Sequence, residues 1–429
     1  MKSITNYLNS MKSMYFMLLA CVTLLIGVAS CSQDEFANYE PEKQQKYSKA
    51  ELIEQALSRI PQTRAENSNA VIMVTIQDTI AFQCHTTETM KVFVDGEEHP
   101  APITEINKDC NHIFTNGFPS HSITIVGSKE AIRELDIDNN GLIMLNVSGN
   151  TNLTDLSCTD NHLDVIGLTD CPLGKLDISN NEFFSVDLSQ QLSLHTIEAN
   201  HNRLTTVDIS QNSNLMRLSV GYNQIKQIKL PENSFFLVLE VENNPLKDID
   251  LSKTPNLSYL NASYTQITEL DLSKNTNLVA LFIENLSIKK INDSPICDTS
   301  FFALPNLWQL NIAYTPFVTL NIERNPSIME LNISGTGITQ LDLSNQEMEY
   351  LYATHSQLTN LIYEKSNFKK LYELRIERTP FEGDSLNMSS LALALPSRTE
   401  ISPGHLYTYS PWINHFASDF ARNNWMINQ

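Results

Sequence analysis

Residues 153–163 read LTDLSCTDNHL, residues 267–275 read ITELDLSKN, and variants of these two half-repeats alternate along most of the chain. Each stretch alternates apolar and polar residues, as expected for a short strand with one buried face. We call the central apolar residue of each half-repeat its head; the heads here are Leu156 and Leu270. The pattern predicts two short parallel strands from every repeat.

The heads recur every ten and then every eleven residues, which gives a full period of about 21 residues. That period lies within the range of leucine-rich repeats. The first run of heads is Leu135, Leu145, Leu156, Ile166, Leu176, Val186, Ile197, Val207, Leu218, Ile228, Leu239, Ile249, Leu260, Leu270, Leu281 and Ile291. After a gap the heads are Leu310, Leu320, Leu331, Leu341, Leu351, Leu361 and Leu374. One repeat cannot bury its own leucines, so the sequence predicts a mainly β solenoid of about 12 stacked repeats.

The position five residues after each first-half head is polar in all but one repeat. An amide or hydroxyl buried there can bond to backbone groups freed at the turn, where an unpaired group costs roughly 1 to 3 kcal/mol. We therefore expect stacked coils to form a polar ladder beside the apolar core, broken only at Leu286. Its members are Asn140, Asn161, Asn181, Asn202, Asn223, Asn244, Thr265, Leu286, Thr315, Thr336, Ser356 and Thr379.

The N-terminal segment has the form of an export signal. Two lysines precede an apolar run from 14 to 28, which is short for a membrane span. The following residues, Val28-Ala29-Ser30-Cys31, resemble the bacterial lipoprotein box, and the resemblance implies lipidation of Cys31. Residues 32–36, SQDEF, resemble the signal that sends Bacteroidetes-type lipoproteins to the outer face of the outer membrane.

The chain is strongly acidic, with 29 basic and 49 acidic side chains. Removal of residues 1–30 takes away two lysines and no acidic residue, which leaves a net charge of about -22. A body of this charge repels nucleic acid and acidic membrane surfaces, so neither is an expected partner.

The pattern changes along the chain define five predicted segments. Residues 1–30 are the signal peptide, and 31–69 are a polar tether with one short helix ending before Pro61. Residues 70–127 contain short strands and an Asp95-Gly96 turn signal, which predicts a small β-sandwich covering the open end of the solenoid. The predicted solenoid spans 128–385, with an insertion at 292–306, and a C-terminal cap spans 386–429.

The C-terminal cap contains a LALALPSRT helix end at 391–399, a strand near His405, a helical stretch from 413 to 422 and a final Asn424-Trp425 strand. This arrangement resembles the cap of Bacteroidetes-type leucine-rich-repeat surface lipoproteins. The Val-Phe-Val-Asp-Gly stretch at 92–96 also resembles the Ig-like module of the polycystic-kidney-disease type. Together these features resemble that lipoprotein family over nearly the whole chain, with an internalin-like repeat array.

The seven cysteines fall into different environments. Cys21 lies in the signal, and Cys84 and Cys110 share the predicted small domain, where a disulfide and two separate thiols are both open interpretations. Cys158 occupies a repeat position that is otherwise aliphatic and points inward. Cys171 lies five residues after the second-half head Ile166, which corresponds to the ladder position of the first halves. Both positions favour buried thiols. Cys297 lies in the insertion.

No catalytic signature is present in the sequence. It contains no zinc-type HExxH, CxxC pair, phosphate-binding glycine loop or GxSxG elbow. We therefore predict a protein that is not an enzyme and has no cofactor or metal. The aspartate of each Asp-Leu-Ser stretch is better explained by turn capping than by calcium binding; these residues are Asp187, Asp208, Asp250, Asp271 and Asp342.

The outward face of the first-half strands is the predicted ligand-binding surface. Residues before, after and three beyond each head project together from one sheet. Residues four beyond the head, at the strand edge, add a strip of rings. Aromatic side chains with a polar tip anchor protein interfaces and also stack on sugars. The candidate ligand-binding residues are Tyr222, Tyr259, Tyr264, Phe282, Tyr314, Tyr350, Tyr352, Glu240, Glu242 and Glu284.

Three function classes remain open at this point. The leading hypothesis is a lipid-anchored protein of the outer membrane, facing the cell exterior, that recognises an extracellular protein through the concave face of the solenoid, in adhesion or host interaction. The alternative is a glycan-binding lipoprotein of a nutrient-uptake system. An enzyme is the third and weakest. A structural interpretation of the tyrosines, in which each ring only packs on its neighbour, also stays open.

Overall fold

The computed structural model describes residues 47–60, 70–77, 79–99, 108–113, 118–233, 235–292, 294–295, 303–397 and 404–428, with backbone only for 108–113. From Lys49 onward the chain forms one compact unit. The predicted signal peptide, the lipidation site Cys31, the start of the tether, Cys297 and Phe301-Phe302 lie outside the described residues.

The structure is dominated by β-strands of two to eight residues. The first eight are β1 (Val71–Thr75), β2 (Thr79–Thr86), β3 (Lys91–Val94), β4 (Glu97–Glu98), β5 (Lys108–Ile113), β6 (His121–Val126), β7 (Ile132–Asp136) and β8 (Leu142–Asn146). The next twelve are β9 (Asp155–Ser157), β10 (Ile166–Gly167), β11 (Lys175–Asp177), β12 (Thr196–Glu198), β13 (Thr206–Asp208), β14 (Arg217–Ser219), β15 (Gln227–Lys229), β16 (Val238–Glu240), β17 (Tyr259–Asn261), β18 (Glu269–Leu270), β19 (Ala280–Phe282) and β20 (Lys290–Ile291). The last nine are β21 (Ser294–Pro295), β22 (Gln309–Asn311), β23 (Glu330–Asn332), β24 (Gln340–Asp342), β25 (Tyr350–Tyr352), β26 (Asn360–Ile362), β27 (Glu373–Arg375), β28 (Gly404–Tyr407) and β29 (Trp425–Asn428).

Helices are few in the described part of the chain. The α-helices are α1 (Lys49–Leu57), α2 (Ser385–Ala394) and α3 (Ile413–Arg422). Two single 3₁₀ turns, Lys365–Phe368 and Phe381–Gly383, precede the C-terminal cap.

The first-half strands form one sheet of sixteen strands, which we call the long sheet. Its order is β5-β2-β7-β9-β11-β12-β14-β16-β17-β19-β22-β23-β25-β27-β28-β29. From β7 to β28 every pairing is parallel and aligns head with head, as in Leu156 opposite Leu176 and Leu260 opposite Leu281. These head side chains are at most 1% exposed, so the repeats share one continuous apolar interior. The predicted solenoid is confirmed.

The second-half strands are less continuous than the sequence predicts. They pair as β13 with β15, β18 with β20 and β24 with β26, and β10 pairs with β8. At the heads Val186, Ile249 and Leu320 the described backbone is not in strand conformation. The side of the solenoid opposite the long sheet, which we call the short-strand side, is therefore a set of separate small sheets.

The predicted polar ladder is present, and its asparagines bridge neighbouring coils. All twelve positions are buried, Leu286 included. Asn202 donates to the carbonyl of Ile178 in the preceding coil at 2.9 Å and accepts the amide of Phe183 at 3.0 Å. Asn223 and Asn244 repeat the cross-coil bond, each at 2.9 Å. Each amide side chain thus satisfies the backbone of two coils at once.

The hydroxyl members of the ladder act within their own coil. The hydroxyls of Thr265, Thr336 and Thr379 donate to the carbonyl three residues earlier, at 2.8, 2.6 and 2.7 Å. Among the described residues, the hydroxyls of these three threonines form no hydrogen bond to the neighbouring coil. The ladder therefore changes from bridging to local capping after Asn244.

The turn-capping interpretation of the Asp-Leu-Ser aspartates is confirmed. In each of the five, Oδ1 accepts the backbone amide two residues on, at 2.9 to 3.2 Å. Hydrogen bonds from the serine two residues on lower the pKa of Asp187, Asp250 and Asp342. A hydrogen bond from Lys229, together with those from Ser210, lowers the pKa of Asp208 to about 2.

The strands from 71 to 126 are hydrogen-bonded into the solenoid sheets. β1 pairs antiparallel with β6 and with β8, while β2 pairs antiparallel with β5 and with β7. Side chains such as Met73 and Phe82 belong to the same apolar core as the first repeats. The two layers of this region are thus continuous with the two sides of the solenoid, and they cover its first coil. The predicted Asp95-Gly96 turn joins β3 to β4, with φ of 48° and 88°.

Helix α1 packs on this region and is folded rather than part of a loose tether. Leu52 and Ala56 contact Val74 and Ile143 of the sheet that contains β1 and β8. Just beyond the helix, Arg59 forms an ion pair of 2.8 Å with the buried Asp95. Apolar burial on one helix face decides this placement, although the surrounding segment is polar.

The C-terminal cap extends the long sheet. β28 and β29 add to β27 in parallel, and α3 spans the predicted residues 413 to 422. The ring of Trp425 lies against Gly404, where a Cβ would come within 2.6 Å of it. Trp425 also donates from its indole nitrogen to the carbonyl of Pro396 at 2.8 Å. Among the described residues, no helix has the length and apolar character needed to cross a membrane.

Candidate functional site

The residue four beyond each first-half head adopts a left-handed backbone conformation in all twelve described coils. The residues, with φ between 53° and 66°, are Asn139, Asp160, Asn180, His201, Tyr222, Asn243, Tyr264, Asn285, Tyr314, Gly335, His355 and Arg378. The fold imposes this, because the amide donates to a carbonyl of the next coil in every case but Arg378, as from Tyr264 to Glu284 at 2.9 Å; the Arg378 amide donates to the Glu382 side chain instead. Asparagine, aspartate and glycine adopt this conformation at little energetic cost, whereas in a bulky residue it is sterically unfavourable.

Three tyrosines in this column project from the edge of the long sheet. Tyr222, Tyr264 and Tyr314 are 49%, 44% and 53% exposed. They occur on alternate coils, separated by Asn243 and Asn285. Because adjacent strands lie about 4.8 Å apart, successive rings stand roughly 10 Å apart along the solenoid.

Each of these rings also contacts a neighbouring coil. The ring of Tyr222 stacks on His201 with centroids 4.3 Å apart, and the ring of Tyr314 lies against Gly335, where a Cβ would be 2.3 Å away. The hydroxyl of Tyr264 donates to Glu284 at 2.7 Å, and burial together with this carboxylate raises the Tyr264 pKa. The structural interpretation of the tyrosines is therefore correct in part, since the rings pack on neighbours yet stay about half exposed.

Beside this column, the outer face of the long sheet carries a compact group that we call the central cluster: Arg217, Tyr222, Glu240, Glu242, Tyr259, Tyr264, Phe282 and Glu284. The rings of Tyr259 and Phe282 are 5.4 Å apart. Arg217 donates to Glu240 at 2.6 Å and approaches Glu198 at 3.7 Å. Burial and the carboxylates Glu240 and Glu242 raise the pKa of Tyr259, which therefore stays protonated and able to donate.

Glu242 is the most perturbed carboxylate of the central cluster. Its side chain lies against Gly221, where a Cβ would be 2.4 Å from Oε1. Oε2 is withdrawn from solvent and has no hydrogen-bond partner among the described residues. Burial raises the pKa of Glu242 to about 7, and Glu240 adds to the shift. The negative charge is therefore costly and incompletely compensated.

A second group of rings, the C-terminal cluster, lies further along the same face: Tyr350, Tyr352, Tyr372, Arg375, His405 and Tyr407. Tyr350 approaches Tyr372 at 5.9 Å, and Tyr372 approaches His405 at 5.3 Å. The Arg375 guanidinium lies 4.1 Å from the Tyr407 ring centre and 5.7 Å from that of Tyr352, and its Nε contacts Glu373 at 2.5 Å. Between the two clusters, burial raises the pKa of Glu330 to about 7, although it accepts from Gln309 at 2.8 Å.

The predicted candidates fall into these two groups. Eight of the ten lie in the central cluster or beside it, Tyr314 included, and Tyr350 and Tyr352 belong to the C-terminal cluster. Sequence reasoning missed Arg217, Tyr372, Arg375, His405 and Tyr407. The last two were missed because β28 was assigned to the cap, and the match of Leu406 to the head pattern was the available signal. Val238 and Ala280, expected to project outward, are only 5% and 6% exposed because larger residues flank them in the sheet.

Comparison with known proteins agrees with this architecture. No family model matches the sequence, and neither does any curated protein. Among solved structures, a leucine-rich-repeat protein of Leptospira interrogans is 21% identical with a TM-score of 0.55, over 62% of this chain and 71% of that one. The chain has the leucine-rich-repeat fold.

Two further leucine-rich-repeat structures are similar at lower overlap. An internalin of Listeria monocytogenes is 19% identical over 58% of this chain and 81% of its own, with a TM-score of 0.44. YopM, a leucine-rich effector protein of Yersinia pestis, is 20% identical over 58% of this chain and 72% of its own, with a TM-score of 0.46. At these identities the likeness concerns the fold alone.

The described part of the insertion lies on the short-strand side of the leucine-rich-repeat solenoid. β21 folds back antiparallel on β20, with Ile291 opposite Ser294. The insertion therefore starts from the side away from the tyrosine strip formed by Tyr222, Tyr264 and Tyr314.

The cysteine predictions have different outcomes. Cys158 and Cys171 are buried, as expected, and burial raises the pKa of both thiols, that of Cys171 to about 11. In the pairing of β2 with β5, Cys84 stands opposite Lys108 and Cys110 opposite Phe82, so the two cysteines are offset by two residues. The side chain of Cys110 lies outside the described residues, and the Cys84–Cys110 disulfide stays a prediction.

Proposed function

We propose that the protein is a binding module that holds an extracellular protein ligand on the outer face of its long sheet, anchored to the outer membrane through a lipid on Cys31. In leucine-rich-repeat solenoids this strand face lines the horseshoe and is available to a partner. Recognition would use the central and C-terminal clusters together with the tyrosine strip. The role fits adhesion or host interaction.

One observation carries the proposal. Three tyrosines occupy left-handed backbone positions where the same chain elsewhere uses asparagine, aspartate or glycine in six coils, histidine in two and arginine in one. The rings cost conformational energy there and remain about half exposed, so folding alone does not account for them. Exposed tyrosines beside carboxylates are typical anchors of protein interfaces.

The ring orientations favour a protein over a glycan. A sugar stacks on a free ring face, and His201 already covers one face of Tyr222, while the ring of Tyr314 lies against Gly335. The ring edges and hydroxyls are what a partner meets first. A glycan remains the second candidate, because Tyr222, Tyr264 and Tyr314 form a regular row along the sheet.

The binding experiment compares two matched triple variants of the mature chain. In the first, Tyr222, Tyr264 and Tyr314 are each changed to Asn, the residue that this column accepts at Asn243 and Asn285. In the control, Val165, Phe184 and Val318, exposed apolar residues one or two positions before second-half heads, are changed to Asn. All three proteins are screened against arrays of purified extracellular proteins and of glycans.

We expect a protein bound by the wild type and the control but lost in the tyrosine variant. Saturable glycan binding with the same dependence would instead establish the second candidate. A ligand whose binding is lost only in the control variant would move the site to the short-strand side and overturn the proposal. The anchor is tested separately: Cys31→Ser should abolish metabolic labelling with a fatty-acid analogue and surface retention on intact cells.

A further inference from the structure

We infer that the central cluster is a receptor for a cationic side chain, arginine or lysine, presented by the partner protein. This inference rests on the proposed function and specifies the chemistry of the partner at one place. Four observations support it: the excess of carboxylates in the central cluster, the buried oxygen of Glu242, the neighbouring aromatic rings, and the similar site around Arg375 in the C-terminal cluster.

The central cluster carries more negative than positive side chains. Between β12 and β19 the outward positions carry four carboxylates, Glu198, Glu240, Glu242 and Glu284, and one guanidinium, Arg217. That guanidinium is already engaged by Glu240 at 2.6 Å and lies near Glu198 at 3.7 Å. Glu284 accepts from Tyr264 and from Asn311, which are neutral donors. Arg217 attracts the Glu242 carboxylate from a distance, but among the described residues neither Glu242 nor Glu284 forms an ion pair with a cation.

The Glu242 carboxylate is held in a partly enclosed position on the sheet. Gly221 leaves the space in which this carboxylate lies flat against the sheet, and one of its oxygens is buried without a hydrogen-bond partner among the described residues. An unpaired buried charge is among the most costly arrangements in a protein. A cation from outside would compensate it, which makes Glu242 a source of binding energy.

Two aromatic rings lie beside the carboxylates of the central cluster. Tyr259 and Phe282 are 5.4 Å apart and adjoin the carboxylates, and the raised pKa of Tyr259 keeps its ring neutral. The faces of such rings attract guanidinium and ammonium groups. Carboxylates and ring faces together select a cation over a neutral polar group.

The chain contains its own example of this arrangement. In the C-terminal cluster Arg375 lies between the rings of Tyr352 and Tyr407, with Glu373 at its Nε. Tyr352, Arg375 and Tyr407 each follow a head on consecutive strands, and Phe282 follows a head in the same way. The central cluster presents rings and carboxylates in the same sheet, but Tyr259 and Phe282 lie on adjacent strands and contact each other, so a cation would meet their outward faces.

The test uses a ten-residue Gly/Ser peptide with two central arginines and the same peptide with citrulline, which keeps the shape and removes the charge. Both are titrated into the mature protein labelled with fluorotyrosine and followed by fluorine NMR. The Tyr259 signal is assigned by Tyr259→Phe. We expect the arginine peptide, and not the citrulline peptide, to shift the Tyr259 signal.

Two variants that each replace one carboxylate with an amide locate the site. Glu242→Gln removes the buried charge, and Glu323→Gln removes an exposed one in a turn of the short-strand side. We expect Glu242→Gln to weaken arginine-peptide binding about tenfold, which is about 1.4 kcal/mol, and Glu323→Gln to change it less than about twofold. Phe282→Leu, which removes a ring and keeps the volume apolar, should weaken it about threefold.

Equal effects of Glu242→Gln and Glu323→Gln would overturn the inference by showing only general attraction to an acidic protein. Equal binding of the two peptides would also overturn it, because the charge of the arginine side chain would then make no contribution. If the tyrosine triple variant still loses its protein ligand in that case, the proposed function stands and this assignment alone fails. If the tyrosine triple variant also keeps its protein ligand, the proposed function fails together with this assignment.

Discussion

At the scale of single residues, the same backbone position holds asparagine, tyrosine, histidine, arginine or glycine without a change of conformation. Tyr222, Tyr264 and Tyr314 donate their backbone amides to the next coil just as Asn243 and Asn285 do. The stacking of coils therefore dictates φ, and the side chain adapts. Residue identity in this column is free to serve binding.

Tyr264→Asn should leave the free energy of unfolding within about 1 kcal/mol of the wild type. The gain from an easier left-handed backbone offsets the lost hydrogen bond to Glu284. Tyr264→Val should be clearly less stable than Tyr264→Asn, since a branched side chain fits this conformation badly. Urea unfolding of the two variants measures the difference, and equal stability would contradict the backbone argument.

Asparagine and threonine in the polar ladder should differ in their contributions. Asn202→Ala leaves groups of two coils unpaired and should cost about 2 to 4 kcal/mol. Thr336→Val removes one bond to a carbonyl that still accepts an amide at 3.3 Å, and should cost about 1 kcal/mol or less. Chemical unfolding of both variants tests this order, and a larger loss for Thr336→Val would refute it.

Glu330 should make stability depend on pH. Its folded pKa, about 7, is above the ordinary 4.5, so the folded state holds the proton more tightly. Its contribution is fully present below about pH 4.5 and is lost as pH rises through 7. Glu330→Gln should therefore stabilise the protein by about 1 to 3 kcal/mol at pH 8 and have no effect at pH 4. Thermal unfolding across this range checks the sign; a stabilisation confined to acid pH would contradict it.

At the scale of elements, α1 shows that a short amphipathic helix can belong to a sheet far from it in sequence. Leu52 and Ala56 cover Val74 and Ile143, and Ser120 donates to the carbonyl of Leu52 at 2.8 Å. The helix protects the outer surface of the first sheet at the solenoid's N-terminal end. The sequence predicts the apolar stripe of this helix, but it does not show which surface the stripe covers.

Leu52→Ala should destabilise this end by about 2 kcal/mol, near the lower limit for a buried leucine because the site is at the periphery. Hydrogen exchange should rise in β1 and β8 and stay unchanged beyond β14. Glu54→Ala, outside the apolar contacts of the helix, is the matched control. Unchanged exchange in β1 would show that the helix does not contribute to the stability of the sheet.

At the scale of the whole molecule, one apolar core runs from the N-terminal strands to the cap. It includes Met73 near one end and Trp425 at the other, with the heads of every coil between. Each coil touches only its neighbours, so stability propagates locally although the core is continuous. The two ends act as covers for coils that would otherwise expose leucines.

Trp425→Ala should therefore act on the C-terminal coils alone. Loss of this ring should cost about 3 to 5 kcal/mol locally and raise hydrogen exchange in β27 to β29, with no change in β9 to β14. Met426→Ala, on the same strand but half exposed, should have little effect. A uniform rise along the whole solenoid would instead show that the array unfolds as one unit.

The sequence by itself determined the coil period, the buried heads, the polar ladder and the capping aspartates, because each depends on side chains repeated at fixed spacing. It also identified most members of the candidate site, since strand alternation decides which side chains point outward. Tertiary structure decided what spacing does not encode: that the N-terminal strands merge with both sides of the solenoid, that β28 and β29 lengthen the long sheet, and that α1 is docked. It also decided that Glu242 lies against Gly221 with one oxygen buried, and that the tyrosines adopt left-handed backbones. These depend on contacts between residues that are distant in sequence or on neighbouring coils, and such contacts exist only once the coils are stacked.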